Sequence, residues 1–438
     1  MNILIICYCY PPDLGPRASR WSVIAEYWAV QGYHVHVISA DSLGASSEET
    51  LNGVQVHRVG GAIGDKLRNW LKSPPPQSAG EDVGASDKKP SGKNKLGVLG
   101  SLIKAVHDLT WKKLYWPESN CLWFFPARAK ALKLVTEIAF DAVISTSTPY
   151  TGHLVGKVVK KAFPDVPWIV DIGDPFSFGQ PPWNNTGIYK GLNHRSEAKV
   201  LHLADSISVT VDSCKKAYGE LFPGIEGKIT IIPPLFSGSI TSPQEKPKTR
   251  KGRRLVFTGS FYKDIRNPAY LLNLLTGVYE KSPETEVHFY GRLNDCADLF
   301  EPYLRKYPKN VFVHGLVSRE RAADALEQAD ILINIANRTR HQLPSKLVDY
   351  MASGKPILNM VSIEDDNSLL FLQSYRLTAT FMESSEEAKR NDVERICKFI
   401  EKSTILQYQT IERLLEPFQV IAVEAQYRKL FIEKNPSK

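Results

Sequence analysis

Ala329-Asp-Ile-Leu-Ile-Asn-Ile-Ala336, followed after a loop by Pro344-Ser-Lys-Leu-Val-Asp-Tyr-Met-Ala-Ser-Gly-Lys-Pro-Ile-Leu358, decides how this chain is read. Ile331, Leu332, Ile333 and Ile335 make an apolar run with little polar relief, the pattern of a parallel strand covered on both faces. A helix is predicted to start at Pro344, because proline is favoured in a first helical turn, and to end at Gly354 with Pro356 just beyond. The helix start lies past the strand's carboxyl end, where free N–H groups and the helix dipole favour an anion. Lys346 adds a cation to that first turn, and Asp349 shares its face. A cation for phosphate and a carboxylate for ribose hydroxyls suit a nucleoside diphosphate. The same spacing also describes an ordinary capped surface helix.

Residues 343–358 resemble the donor-binding segment of family 4 glycosyltransferases, whose members often read Pro-Ser-Lys-Leu-x-Glu-Tyr, then small residues, then Gly-Lys-Pro-Ile-Leu. The resemblance implies the α/β GT-B fold: two doubly wound Rossmann-like domains, an interdomain cleft and a C-terminal helix that crosses back onto the first domain. It implies retaining transfer of a sugar from a nucleoside-diphosphate sugar to a hydroxyl acceptor. By this likeness Ser345, Lys346 and Asp349 bind the donor. The family commonly carries two glutamates eight positions apart; the second maps to Asp349 and the first to His341, which cannot accept sugar hydroxyls as a carboxylate does.

Composition agrees with a cytosolic globular protein. The 438 residues exceed one ordinary core and predict two domains. The chain has 43% hydrophobic and 23% charged residues, and its net charge of +8 can favour nucleic acid, anionic lipid or phosphorylated substrates without choosing among them. Its six cysteines are scattered without a metal-ligand spacing, which fits a reducing compartment. Residues 1–6 lack the basic flank of a signal peptide, and no apolar run reaches the roughly 20 residues of a spanning helix. The expected location is cytoplasmic, in solution or at the cytoplasmic face of the membrane. Basic residues do not cluster with aromatics on a recognisable platform, so no nucleic-acid partner is expected.

The amino-terminal domain is expected to cover residues 1–236. Residues 2–7 read as a buried strand, a helix follows from about Arg17 to Gly32, and residues 35–39 form the next strand. Tyr-Pro-Pro-Asp-x-Gly, ending at Gly15, resembles the family's opening, where the glycine admits the sugar diphosphate. Arg17 and Arg20 then contact acceptor or donor, or lie on a solvated helix face. Residues 73–95 are rich in Pro, Gly, Ser and charge and read as a mobile insertion. Residues 96–116 form a basic amphipathic segment that suits either a membrane interface or packing on its own domain. Trp116-Pro-Glu118, Thr148-Pro-Tyr-Thr-Gly-His153 and Val170-Asp-x-x-Asp-Pro175 resemble a bacterial surface-polysaccharide branch of the family. That likeness makes His153 and Asp174 the candidate catalytic residues; His153 taken alone is more often a packing or capping histidine. Glu197 recurs in the family and is equally read as structural.

Residues 237–254 read as a linker, 255–410 as the donor domain, and 411–438 as the returning helix. Residues 255–259 open the second domain, and Thr-Gly-Ser-Phe-Tyr…Arg-Asn-Pro resembles the family variant in which Gly259 and Arg266 meet the diphosphate. Arginine suits such a bidentate contact. No D-x-D motif follows a strand, so no metal site is expected, and the Asp365-Asp366 pair reads as solvated loop. No cofactor is expected beyond the sugar nucleotide. The acceptor is expected to be a glycan or lipid-linked saccharide. Two other readings share the fold: an inactive scaffold or regulator, and a sugar-nucleotide epimerase. Neither half carries a full G-x-G-x-x-G after a strand, which disfavours a dehydrogenase.

Overall fold

The computed structural model describes residues 1–13, 15–42, 44–60, 115–179, 186–240, 252–383 and 386–432. The chain divides into two compact units, one of Met1–Ser208, Gly227–Ile229 and Leu430–Lys438, the other of Val209–Glu226 and Thr230–Lys429. The expected insertion at residues 73–95 and all but the end of the amphipathic segment at 96–116 lie outside the described residues.

The first sheet begins with β1 (Asn2–Ile6), α1 (Pro16–Val30), β2 (His34–Ser39), β3 (Glu48–Leu51) and β4 (Val54–Arg58). It continues through α2 (Phe124–Glu137), β5 (Ala142–Thr146), α3 (Thr151–Ala162), β6 (Trp168–Asp171), α4 (Thr186–Leu203) and β7 (Ser206–Val209), then α5 (Asp212–Leu221) and β8 (Ile229–Ile231). The strand order is β3-β4-β2-β1-β5-β6-β7-β8. Ile3, Leu4, Ile5 and Ile6 are all fully buried, because helices cover both faces of a parallel sheet. Trp21, Ile24, Ala25 and Trp28 bury one stripe of α1, as their spacing predicts. From β1 the chain winds to β2 and β4, then resumes at β5 on the other side of β1. The gap between the β1 and β5 ends is therefore a topological switch point, where such sheets bind ligands.

The second sheet runs β9 (Arg254–Thr258), α6 (Ala269–Lys281), β10 (Glu286–Tyr290), α7 (Ala297–Lys306), β11 (Val311–Gly315), α8 (Arg319–Gln328), β12 (Ile331–Ile335), α9 (Lys346–Ala352), β13 (Ile357–Val361), α10 (Asn367–Phe371) and β14 (Thr378–Met382). α11 (Glu386–Glu401), α12 (Tyr408–Leu415) and α13 (Val420–Ile432) close the chain. The order β11-β10-β9-β12-β13-β14 puts its switch point between β9 and β12. Side chains alternate between two cores: Leu255, Phe257, Ile331, Ile333 and Ile335 face one, Val256 and Leu332 the other.

Several local expectations change. The helix expected at Pro344 begins at Lys346, with Ser345 as its cap; Pro344 serves the turn before it and accepts from the Leu347 amide. The single helix expected from residue 411 is split, because Pro417 supplies no N–H; a 3-10 turn at Glu416–Phe418 separates α12 from α13. From Leu430 on, the chain belongs to the first unit, where Phe431 packs edge-on against Trp28. β3, a short antiparallel partner of β4, has no apolar run to announce it. Asp366, read as solvated, is buried: it caps α10 by accepting from the Ser368 amide at 2.8 Å.

Candidate functional site

In the second unit, the loops after β9 and β12 meet at the switch point. Gly259 follows β9 with φ +137°, and Gly291 follows β10 with φ +133°. A Cβ on Gly291 would stand 2.0 Å from the Gly259 carbonyl oxygen, so the two strand ends come this close only because Gly291 has no side chain. The loop then turns back on itself: Tyr262 and Arg266 exchange backbone hydrogen bonds at 3.2 and 2.8 Å. This brings the Arg266 guanidinium beneath Gly259 and against Asn337, just beyond β12. Nε and Nη2 donate to Asn337 Oδ1 at 3.1 and 2.8 Å, and Nη1 donates to the Ser260 carbonyl at 3.2 Å.

Lys346 enters from the first turn of α9. Its ammonium donates to the Thr258 carbonyl at 3.1 Å and lies 4.2 Å from the centre of the Phe257 ring. Burial, then the Arg266 charge, holds its pKa well below the ordinary lysine value. Among the described residues, neither Arg266 nor Lys346 meets a carboxylate. Two desolvated basic side chains without a counter-charge have the chemistry to accept an anion. Ser345 is exposed at the helix start, Asp349 is exposed on the first turn of α9, and His341 is half-buried in the preceding loop. The structure thus brings Gly259, Arg266 and Lys346 to one place, with Ser345 and Asp349 on the helix that carries Lys346.

In the first unit, β1, β5 and β6 end side by side. Gly15 precedes α1 with an ordinary extended conformation, and a Cβ there would meet nothing within 4 Å, so its backbone does not require glycine. Neither arginine of α1 lies on a solvated face. Arg17 pairs with buried Asp171 at 2.9 Å and lies so close over Gly173 that any Cβ there would strike the guanidinium; Arg20 is buried. Asp171 also accepts from Trp21 Nε1 at 2.9 Å and Ser208 Oγ at 2.7 Å. Sequence reading quoted Asp171 and missed its role as the hub of this loop.

His153 lies in the first turn of α3, 2% exposed. Trp168 Nε1 donates to Ser145 Oγ at 2.9 Å, and that hydroxyl meets His153 Nδ1 at 2.9 Å. The Ser145 oxygen has a second lone pair and one proton, so it satisfies Nδ1 in either tautomer. Nε2 is buried without a hydrogen-bond partner among the described residues. Burial pushes the pKa of His153 down to about 3, against the opposing pull of Asp171. His153 is thus a neutral imidazole in the folded chain. With Ser147, Tyr150, Asp174, Phe176 and Glu197 it lines a cavity of about 10 Å³, room for one water and too small for a saccharide. Asp174 is exposed and accepts a long bond from Thr148 Oγ1 at 3.5 Å.

Two buried glutamates hold this region in place. Glu118 accepts from the Tyr150 and Thr151 amides, both at 3.0 Å, and from the Thr151 hydroxyl, so it caps α3 from outside the helix. Burial raises its pKa to about 7 against those bonds. Glu197 accepts from the Ser177 and Phe176 amides at 2.9 and 3.4 Å and pins the loop after β6, its structural reading.

Residues 252–364, the part that holds Gly259, Arg266, His341, Ser345, Lys346 and Asp349, match the family model "Glycosyl transferases group 1". No curated protein matches the chain. Solved structures similar to it include the apo form of the lipopolysaccharide outer core galactosyltransferase WaaB, 13% identical over 99% of this chain and 100% of that one, with a TM-score of 0.57. The catalytic domain of Arabidopsis thaliana Starch Synthase IV, bound to ADP and acarbose, is 10% identical over 99% of both chains, with a TM-score of 0.60. S. aureus TarM, in a complex that includes alpha-GlcNAc-glycerol and UDP, is 11% identical over 98% of this chain and 99% of that one, at 0.58. At such identities the likeness establishes the fold: GT-B, with two parallel-sheet Rossmann-like domains.

Proposed function

We propose that the protein is a glycosyltransferase that moves a sugar from a nucleoside-diphosphate sugar to a hydroxyl acceptor. The carrying observation is the pair Arg266 and Lys346, converging on one switch point with no carboxylate against either. A leaving diphosphate develops negative charge as the glycosidic bond breaks, and fixed cations with the free amides of α9 stabilise it most where water is scarce. Gly259 lets the backbone come close to the phosphates, the Ser345 and Lys346 amides point at them, and Asp349 accepts from the ribose. Two similar structures, Starch Synthase IV and TarM, hold a nucleoside diphosphate and a saccharide, which supports the same ligand class here.

The first unit takes the acceptor side in this reading. His153, sealed in a cavity with room for one water, supports the acceptor side from within, and Asp174, exposed beside it, accepts from an acceptor hydroxyl. Arg17, held on Asp171, fixes the loop that carries Asp174, and Arg20 supports α1 from within. Retention of anomeric configuration and a role in surface polysaccharide synthesis rest on the resemblance of residues 343–358 and of the segments around His153 and Asp174. A glycan or lipid-linked acceptor at the cytoplasmic face of the membrane suits the net charge of +8. No helix among the described residues is long and apolar enough to cross a membrane.

The test is a panel of nucleotide sugars, scored by nucleoside diphosphate release with glycan and lipid-linked acceptors. One donor should turn over, its product should retain the donor's anomeric configuration by NMR, and Lys346→Ala should abolish release. A donor that changes its sugar with no acceptor present would replace this reading with an epimerase.

A further inference from the structure

Arg266 carries five N–H bonds, and the structure accounts for three of them. Nε and one Nη2 N–H are both spent on a single oxygen, Asn337 Oδ1, and one Nη1 N–H goes to the Ser260 carbonyl. One N–H remains on each terminal nitrogen, enough to meet two phosphate oxygens. The partner chosen for the inner edge is neutral. A carboxylate there would satisfy the same two N–H groups and cancel the charge; an amide oxygen satisfies them and leaves the full positive charge available. Asn337 is itself held, because its Nδ2 donates to Gln342 Oε1 at 3.4 Å, and Thr339 Oγ1 donates to the same oxygen at 3.1 Å. The backbone beneath is tied separately, by the Arg338 amide on the Ile265 carbonyl at 2.7 Å.

We propose that Asn337 is a positioning residue for the donor diphosphate: its neutral side-chain oxygen orients Arg266 while leaving the charge and the outer N–H groups for phosphate. The proposal rests on the donor-site reading above. It assigns a task to a residue that sequence reading passed over as loop. It also explains why a half-buried arginine that spends three N–H bonds on the protein still lacks a counter-ion.

Inorganic pyrophosphate is the probe, since it reports the phosphate contacts whatever the base, and calorimetry reads its Kd beside that of the best-bound nucleoside diphosphate. Asn337→Ala frees the guanidinium and should weaken pyrophosphate about tenfold; Asn337→Asp keeps the hydrogen bonds, cancels the charge and should weaken it further, by about tenfold or more again. The backbone tie predicts that both variants keep the wild-type fold by circular dichroism and that the Asp variant melts no lower than wild type. In an Arg266→Ala background, Asn337→Ala should change Kd less than twofold, because its route to phosphate is gone. Wild-type affinity in Asn337→Ala overturns the assignment, as does an undiminished effect without Arg266. If the wild type binds neither pyrophosphate nor any nucleoside diphosphate, the donor reading falls with it; if only the Asn337 variants behave as wild type, this inference alone falls.

Discussion

Lys346→Met separates binding from stability, and the two should move in opposite directions. Methionine keeps most of the side chain's length and its contact with Phe257 while removing the ammonium. A phosphate contact from a charged donor contributes about 1.5–3 kcal/mol, so nucleoside diphosphate affinity should fall about 10- to 150-fold. At a ligand concentration of 100 Kd the wild type gains about 2.7 kcal/mol by linkage; a variant bound about tenfold more weakly keeps about 1.4, and one bound about 100-fold more weakly keeps about 0.4. The unliganded variant should be at least as stable as wild type, because a desolvated cation facing Arg266 is gone and only the bond to the Thr258 carbonyl is lost.

The pH dependence follows from the same shift. Lys346 has a folded pKa below its unfolded one, so the unfolded chain binds more protons between the two values and stability rises with pH across that window. Diphosphate binds the charged form, so affinity should fall as pH rises through the depressed pKa, well short of the ordinary lysine range. Thermal denaturation and calorimetry between pH 6 and 10 read both trends. An unliganded Lys346→Met that melts well below wild type while its nucleotide Kd is unchanged would refute the reasoning, since the lysine would then be a structural tie.

Other perturbations follow from the same geometry. Gly291→Ala must displace the Gly259 carbonyl, 2.0 Å from the new Cβ, at a strained φ; unfolding in urea should show a loss of about 2 kcal/mol or more. Glu118→Ala leaves two buried amides at the start of α3 without their acceptor, which should cost about 2–4 kcal/mol in the same assay and lower turnover through His153. His153 has a folded pKa of about 3 against an unfolded value near 6.5, so its contribution to stability is lost as pH falls from about 6.5 toward 3; His153→Leu should flatten that part of the acid-denaturation curve. The activity profile should carry no acid limb from His153 in the usual imidazole range, and a limb that disappears in His153→Gln would contradict that depressed value.

Much of this was legible in the chain because its signals are local. The apolar runs of β1 and β12 announce strands buried on both faces, and the Trp21, Ile24, Ala25 and Trp28 spacing announces α1. Lys346 and Arg266 were found because each sits in a short string whose order resembles a known family. What escaped depends on pairing across long separations or on features without a pattern. Glu118 caps a helix that starts at Thr151, and Asp171 collects Arg17, Trp21 and Ser208 from three other elements. Arg17 and Arg20 read either as ligand contacts or as a solvated face, because their helix face gives no sign of what packs on it. Asn337 orients an arginine far upstream, a relation that only the adjacency of β9 and β12 creates. Pro417 was visible in the sequence and should have broken the last helix on local grounds alone.

The most direct test of the central claim is calorimetric titration of the unliganded protein with UDP, ADP, GDP and TDP. The account predicts saturable binding of one of them, weakened about tenfold or more by Arg266→Ala and by Lys346→Met alike. No binding of any of the four, or binding that both variants leave untouched, would contradict it.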